Sequence, residues 1–145
     1  MKAKDFIHES VVAYNAGLAI PSVDVDGATV DLQGFEGGCM FIATAQDSLD
    51  TLSASLYLEL EVEESENDSD WTDVADADLS NYVAGNNDGC FGKLVASTMV
   101  SNVYKVQYKG SKRYCRCVLN VTGTMTNGMP VQVSSIKLGP MVAPQ

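Results

Sequence analysis

The chain has 145 residues, of which 46% are hydrophobic and 19% charged, a composition that predicts one folded domain large enough to bury a core. No apolar run approaches the roughly 18 to 20 residues that span a bilayer, and no uninterrupted apolar stretch follows the N-terminal lysines as it would in a secretory signal. The net charge of −10 argues against nucleic acid as a partner, because phosphates would be repelled over most of the surface.

The charges are distributed unevenly along the chain. All 19 acidic residues lie between Asp5 and Asp88, whereas seven of the nine lysines and arginines follow Gly89. The segment before Gly89 therefore carries −17 and the remainder +7. Such asymmetry indicates either that acidic and basic strands pair inside one domain or that the protein binds a partner. The sequence leaves both interpretations open.

The N-terminal segment, residues 1–22, has no clear secondary structure. Phe6 and Ile7 could begin one side of a short helix, and Pro21 ends any regular element. We interpret residues 1–22 as an arm or a peripheral element that orders against a neighbour. Phe6 and Ile7 are its candidate contacts.

From Val23 onward the sequence is typical of β structure. A turn signal at Asp26-Gly27 precedes a short alternating run. Cys39–Ala45 is a mostly apolar run of strand length. We interpret Cys39–Ala45 as a strand that is covered on both faces or central in its sheet.

Leu52–Val62 alternates more regularly. Its leucines fall on one face, and Glu59, Glu61 and Glu63 fall on the other. This pattern predicts a strand with one buried face and one face in solvent.

An acidic stretch, residues 63–70, follows and is predicted to be a loop or hairpin tip. Its acidic side chains are Glu63, Glu64, Glu66, Asp68 and Asp70. Carboxylate oxygens suit calcium, but the EF-hand order of ligands is absent and no glycine shapes the loop. We therefore favour a solvated acidic loop. Trp71, beside it, is interpreted as a core anchor that packs on the adjoining strand rather than as a platform for a ligand.

Four further strands are predicted in the second half of the chain: Leu94–Met99, Val103–Tyr108, Tyr114–Val121 and Val131–Leu138. About eight short strands without interleaved helices predict an all-β fold. We expect a single antiparallel β-sandwich of jelly-roll or immunoglobulin-like type over residues 23–140, with residues 141–145 as a C-terminal tail.

No arrangement of residues indicates catalysis. The only histidine, His8, lies in the N-terminal segment, no serine has a G-x-S-x-G context, and the glycines lack the spacing of a phosphate loop. We expect no enzyme activity, no catalytic residue and no cofactor.

The cysteines form no C-x-x-C pair, so no metal site is predicted, and we interpret them as buried thiols rather than disulfides. They are Cys39, Cys90, Cys115 and Cys117.

The stretch from Lys105 to Val121 holds two strand-like runs joined by Lys109-Gly110-Ser111. On an alternating strand Arg116 would lie among apolar neighbours, where its charge needs an acidic partner. That partner could come from the Glu59–Glu63 strand or from another subunit. The candidate contacts in this stretch are Lys109, Lys112, Arg113 and Arg116.

Several motifs together resemble a known group of proteins. They are VDLQGFE at 30–36, LELEVEES at 58–65 with WTDV at 71–74, YKGSKRYCR at 108–116 and KLGP at 137–140. In this order, over residues 23–140, they resemble small tailed-bacteriophage virion proteins encoded near the major capsid protein. Some members of that group act as head cement or decoration proteins.

The resemblance implies a non-enzymatic protein that binds across neighbouring major capsid subunits and stabilises the head. It implies synthesis in the host bacterial cytoplasm, a place on the head exterior of the virion, and self-association as a dimer or trimer on the shell, with no membrane partner. Cys115 and Cys117 depart from the group, in which these positions are usually aliphatic. Two alternatives stay open: a receptor- or glycan-binding module on a tail or spike, and a head–tail joining protein.

Overall fold

The computed structural model describes residues 10–19, 21–96 and 103–139, the first of these ranges as backbone only. These residues form eleven β-strands and one 3-10 turn at Asp76–Asp78. The strands are β1 (Ser10–Ala19), β2 (Val25–Asp26), β3 (Val30–Asp31), β4 (Cys39–Ala45), β5 (Tyr57–Ser65), β6 (Thr72–Asp73), β7 (Leu79–Ser80), β8 (Cys90–Leu94), β9 (Val103–Tyr108), β10 (Tyr114–Thr122) and β11 (Val131–Leu138). Within the described ranges no helix is long and apolar enough to cross a membrane.

The strands form two antiparallel sheets, which confirms the predicted all-β class. The first sheet has the order β1-β11-β4-β9-β7, so that β4 is its middle strand, as predicted. The second sheet is built on β10 and β5, which pair along their whole length. Strands β2 and β3 pair with the outer edge of β10, and β6 and β8 pair with the outer edge of β5.

Most connections pass from one sheet to the other. The two strands of the Lys105–Val121 stretch therefore do not pair with each other: β9 belongs to the first sheet and β10 to the second. The turn between them crosses one end of the molecule, where the amide of Lys109 donates to the carbonyl of Asp78 at 2.8 Å. A local turn signal specifies the reversal of the chain but not the sheet that the next strand joins.

The inner faces of the two sheets share one hydrophobic core. In β5, Leu58, Leu60 and Val62 are fully buried, as their alternation predicted. In β4, Cys39, Phe41, Ala43 and Ala45 are buried while the residues between them are partly or fully exposed. Strand β4 is thus central in its sheet but covered on one face only.

Three boundaries differ from those predicted. Strand β5 is shifted toward Ser65, because Ser53 and Leu56 bridge in a tight turn before it and β10 pairs with it as far as Ser65. Strand β8 ends at Leu94, and residues 97–102 lie outside the described part of the chain. The backbone of Ser10–Ala19 pairs along β11 as an edge strand, so this part of the predicted arm or peripheral element belongs to the sheet.

Candidate functional site

The outer face of the second sheet concentrates the charged side chains of the molecule. The register of β10 and β5 sets Arg116 opposite Glu63, Val118 opposite Glu61, and Asn120 opposite Glu59. Residues directly opposite in an antiparallel pair share a face, so these side chains form one continuous surface. We call this surface the charged face and define it by Asp26, Glu59, Glu61, Glu63, Arg116 and Asn120.

Arg116 is the centre of one half of the charged face. Its guanidinium lies 2.6 Å from the Glu63 carboxylate and 3.0 Å from that of Asp26. It also stacks on the ring of Trp71, 4.4 Å from the ring centroid. The acidic partner of Arg116 therefore comes from its own chain. Trp71 is half-buried, lies outside the hydrophobic core and contacts Arg116 of β10, so the prediction of a core anchor is wrong.

The other predicted basic contacts are paired in the same way, with one exception. Arg113 makes a forked contact with Asp31, at 2.9 and 2.7 Å, and its hydrogen bond lowers the pKa of Asp31 to about 2. Lys112 lies 3.3 Å from Glu64. Lys109 is exposed and forms no ion pair with any described residue. Phe6 and Ile7 lie outside the described residues, so their predicted role stays a prediction.

The predicted acidic loop divides into two parts. Glu63 and Glu64 belong to β5 and pair with basic residues, whereas Glu66, Asp68 and Asp70 are exposed in the turn that follows. That turn is organised by Asn67. Its side-chain oxygen accepts the backbone amides of Ser69 and Asp70, and its amide donates to the Asp70 carboxylate at 2.7 Å. In the described residues the turn acids do not converge as calcium ligands would.

The other half of the charged face contains buried acids that the sequence did not indicate. Glu59 is 4% exposed and Glu61 only 2% exposed, although alternation predicted that both would face solvent. Cys90, opposite Glu61 on β8, is fully buried beside them. The ligand atoms of Glu59, Glu61 and Cys90 all lie within 4.8 Å of one another. We call these three residues the buried trio.

The electrostatic environment of the buried trio disfavours negative charge. Burial, followed by repulsion from Glu59 and Asp73, raises the pKa of Glu61 to about 7. Burial also raises the pKa of the Cys90 thiol to about 11. The one close cation is Lys93, whose ammonium lies 3.0 Å from the Glu59 carboxylate, among the side chains that the structure describes. Glu61 is left without a comparable partner.

A loop packed against β5 explains why these acids are buried. The carbonyl of Gly89 accepts the amide of Val62, and the amide of Val83 donates to the carbonyl of Cys90. Gly89 has a φ of +83°, and a Cβ there would lie 2.5 Å from the Val62 oxygen. Only glycine fits this contact without strain. The pattern of a single strand carries no information about a loop that returns over it from thirty residues later, which is why alternation missed the buried trio.

The four cysteines are free and buried, as predicted. Cys39 of the first sheet and Cys115 of the second meet in the core, where the hydrogen bond between them and burial raise the pKa of the Cys115 thiol. Burial likewise raises the pKa of Cys117. These three thiols are core side chains rather than nucleophiles.

The outer face of the first sheet differs in character from the charged face. It carries no acidic side chain on its three middle strands, and several of its aliphatic side chains are partly exposed. We call it the acid-free face and define it by Met40, Ile42, Thr44, Val103, Lys105, Gln107, Gln132, Ser134 and Ile136. Val103 is 58% exposed. Lys105 is exposed and forms no ion pair with a described residue.

No protein-family model matches this chain, and no curated protein matches it.

Proposed function

We propose that this protein is a non-enzymatic cement or decoration protein of a tailed-phage head, and that it binds across neighbouring major capsid subunits. In this proposal the two sheets form a sandwich of jelly-roll or immunoglobulin-like type, flanked by terminal arms. The protein sits on the head exterior and associates there as a dimer or trimer. Repeated modest contacts over a symmetric shell provide avidity without one large interface.

The acid-free face is the observation that carries the proposal. A chain with a net charge of −10 presents one broad sheet surface without a carboxylate. Partly exposed aliphatic side chains, Ile42 and Ile136 among them, lie across the middle of this surface. Depletion of charge around an apolar centre is typical of the core of a protein interface.

The unpaired lysine on this face indicates the chemistry of the partner. The charges of Arg113 and Arg116 are already compensated by ion pairs with Asp31 and Glu63 of the same chain. Lys105, by contrast, is exposed on the acid-free face and has no ion-pair partner among the described side chains. A capsid patch that is apolar at its centre and acidic at its rim would complement this surface.

A glycan-binding module on a tail or spike is less well supported. Such a module needs an exposed aromatic ring on which a sugar can stack, and the ring of Trp71 is only half-exposed. The guanidinium of Arg116 covers one face of the Trp71 ring. Neither this alternative nor a head–tail joining role is favoured by a specific contact.

A matched pair of surface substitutions tests the proposal. Val103 is 58% exposed on the acid-free face, and Val23 is 69% exposed beside the second sheet. Because a charge buried at an interface is costly, we expect Val103→Asp to weaken binding to capsids that lack the protein by at least about tenfold. We expect Val23→Asp to bind as the wild type does. The measurement is co-sedimentation of purified protein with such capsids, together with their disruption temperature.

The possible outcomes test the proposed contact surface and the proposed cement role separately. If both variants bind equally well, the acid-free face is not the capsid contact. If the wild-type protein neither binds capsids nor raises their disruption temperature, the cement role is wrong. Labelling of purified particles that is confined to the tail would support a tail or joining protein instead.

A further inference from the structure

The buried trio combines three potential ligands in one enclosed place on the outer side of the second sheet. Glu59 and Glu61 come from β5 and Cys90 from β8, so adjacent strands of the same sheet hold all three. Their exposed fractions are 4%, 2% and 0%, and their ligand atoms lie within 4.8 Å of one another. Solvated carboxylates on a protein surface do not converge in this way.

One carboxylate oxygen of Glu61 is buried without a hydrogen-bond partner among the described residues. Oε2 of Glu61 accepts a hydrogen bond from the side-chain amide of Asn120. The side chain of Asn87 also faces the Glu61 carboxyl group and lowers its pKa. Oε1 of Glu61 is nevertheless buried and has no partner within hydrogen-bond geometry among the described residues. Buried polar atoms are nearly always paired, and an orphaned carboxylate oxygen is costly. A ligand at Oε1 would remove that cost.

The charges around the buried trio favour a cation as this ligand. The ammonium of Lys93 lies 3.0 Å from Glu59, donates to the side chain of Asn86 at 3.4 Å and lies 4.1 Å from the centroid of the Tyr57 ring. It therefore compensates one of the two carboxylates. Glu61, beside it, forms no ion pair with a described lysine or arginine.

We propose that Glu59, Glu61 and Cys90 bind a divalent cation of the zinc class, with Oε1 of Glu61 as one ligand. Two carboxylates and one thiol form a mixed oxygen and sulfur donor set, which suits zinc and its spectroscopic substitutes cobalt and cadmium. Calcium and magnesium prefer oxygen ligands alone. Binding displaces the thiol proton of Cys90 to solvent, and the cation compensates the resulting thiolate.

The cation would connect β5 to β8 beneath the packed loop. Strand β8 lies at the edge of the second sheet, where it pairs with β5 over only a few residues and its register shifts at Glu61. A metal shared by the two strands would fix this irregular pairing. The role is structural and does not depend on capsid binding.

Titration of the full chain with cobalt and cadmium tests the site. We expect one equivalent of either ion to bind, with the sulfur-to-metal charge-transfer absorption of a single thiolate, and zinc to displace it. We also expect zinc to raise the thermal unfolding midpoint, because the ion binds only the folded protein. Absence of binding, or binding without a thiolate band, would overturn the proposal.

Two pairs of variants identify the ligands. Cys90→Ser should abolish the charge-transfer band, whereas Cys117→Ala, which removes a thiol from the core, should retain it. Glu61→Gln should weaken binding at least about tenfold, whereas Glu63→Gln, two residues along the same face of β5, should bind as the wild type does. Because Glu61→Gln keeps the shape and removes a buried charge, we expect it to fold. Equal affinities of the two glutamine variants, or a band that survives in Cys90→Ser, would refute the site.

Discussion

At the residue scale, the two arginines of the basic stretch make different contributions although both are paired. The Arg116 side chain is 16% exposed and its partner Glu63 20% exposed, whereas the Arg113 and Asp31 side chains are 44% and 43% exposed. Desolvated pairs are worth more than surface pairs, and removing one partner leaves the other charge uncompensated. Arg116 also loses a cation–π contact when it is truncated.

We therefore expect Arg116→Ala to lower the free energy of unfolding by about 2 kcal/mol and Arg113→Ala to lower it by about 0.5 kcal/mol or less. Denaturant unfolding of the two variants and the wild type measures both values. Added salt should reduce the smaller effect and leave most of the larger one, because buried pairs are screened less. Equal losses in the two variants would contradict the difference in burial.

Residue patterns in the sequence predicted which side chains share a face but not which faces are covered. Alternation set Glu59, Glu61 and Glu63 on the side opposite the leucines, and the structure confirms this division. Alternation did not predict that Glu59 and Glu61 are buried, because the loop before Gly89 and the side chain of Asn120 come from distant parts of the chain. Spacing rules for cysteine and histidine also missed the buried trio, since its ligands come from two strands that pair only after folding.

At the element scale, the hydroxyl of Tyr108 links the two sheets at one end of the molecule. It donates to Oε2 of Glu64 at 2.7 Å and accepts the backbone amide of Lys112 at 3.1 Å. Tyr108 ends β9 in the first sheet, Glu64 lies on β5 in the second, and Lys112 precedes β10. The turn that follows β9 packs against the same ring, since a Cβ at Gly110 would lie 2.4 Å from it.

We expect Tyr108→Phe to lower the free energy of unfolding by about 1 to 2 kcal/mol, because both partners lose a buried hydrogen bond. Burial and the bond to Glu64 raise the pKa of Tyr108 above its ordinary value of 10.0, so the folded protein holds this proton more tightly than the unfolded chain. The contribution is complete below pH 10 and is lost as the pH rises above it. Unfolding curves of both proteins should thus converge in alkali; a constant difference would contradict the assignment.

Element boundaries were predicted best where apolar residues alternate to the end of the strand. Val103–Tyr108 and Val131–Leu138 are confirmed in full. The end of β5 was missed because Glu63, Glu64 and Ser65 have the composition of a loop. Their strand conformation depends on pairing with β10. Arg116 of β10 neutralises Glu63, and Lys112, in the turn before β10, neutralises Glu64.

At the scale of the whole molecule, acidic and basic residues that are far apart in the sequence lie side by side on neighbouring strands. The positively charged strand β10 lies between β5 on one side and β2 and β3 on the other, all of which carry acidic residues. The internal pairing that the sequence allowed as one of two readings thus accounts for Lys112, Arg113 and Arg116. The proposed contact with a partner is therefore the acid-free face, on the opposite side of the molecule.

The described part of the N-terminal segment is an edge strand of the first sheet. The backbone of β1 pairs with β11 from Ser10 to Ala19, whereas residues 1–9 lie outside the described residues. Removal of residues 1–20 uncovers the edge of β11, whose unpaired backbone groups would favour aggregation. We expect this truncation to lower the unfolding midpoint clearly and to increase light scattering on heating.

Removal of residues 1–9 keeps every described strand, so we expect the free energy of unfolding to stay within about 0.5 kcal/mol of the full chain. If Phe6 and Ile7 contact the capsid, the shorter truncation should still bind capsids more weakly. A truncation of residues 1–20 as stable as the full chain would show that β1 contributes little to the fold.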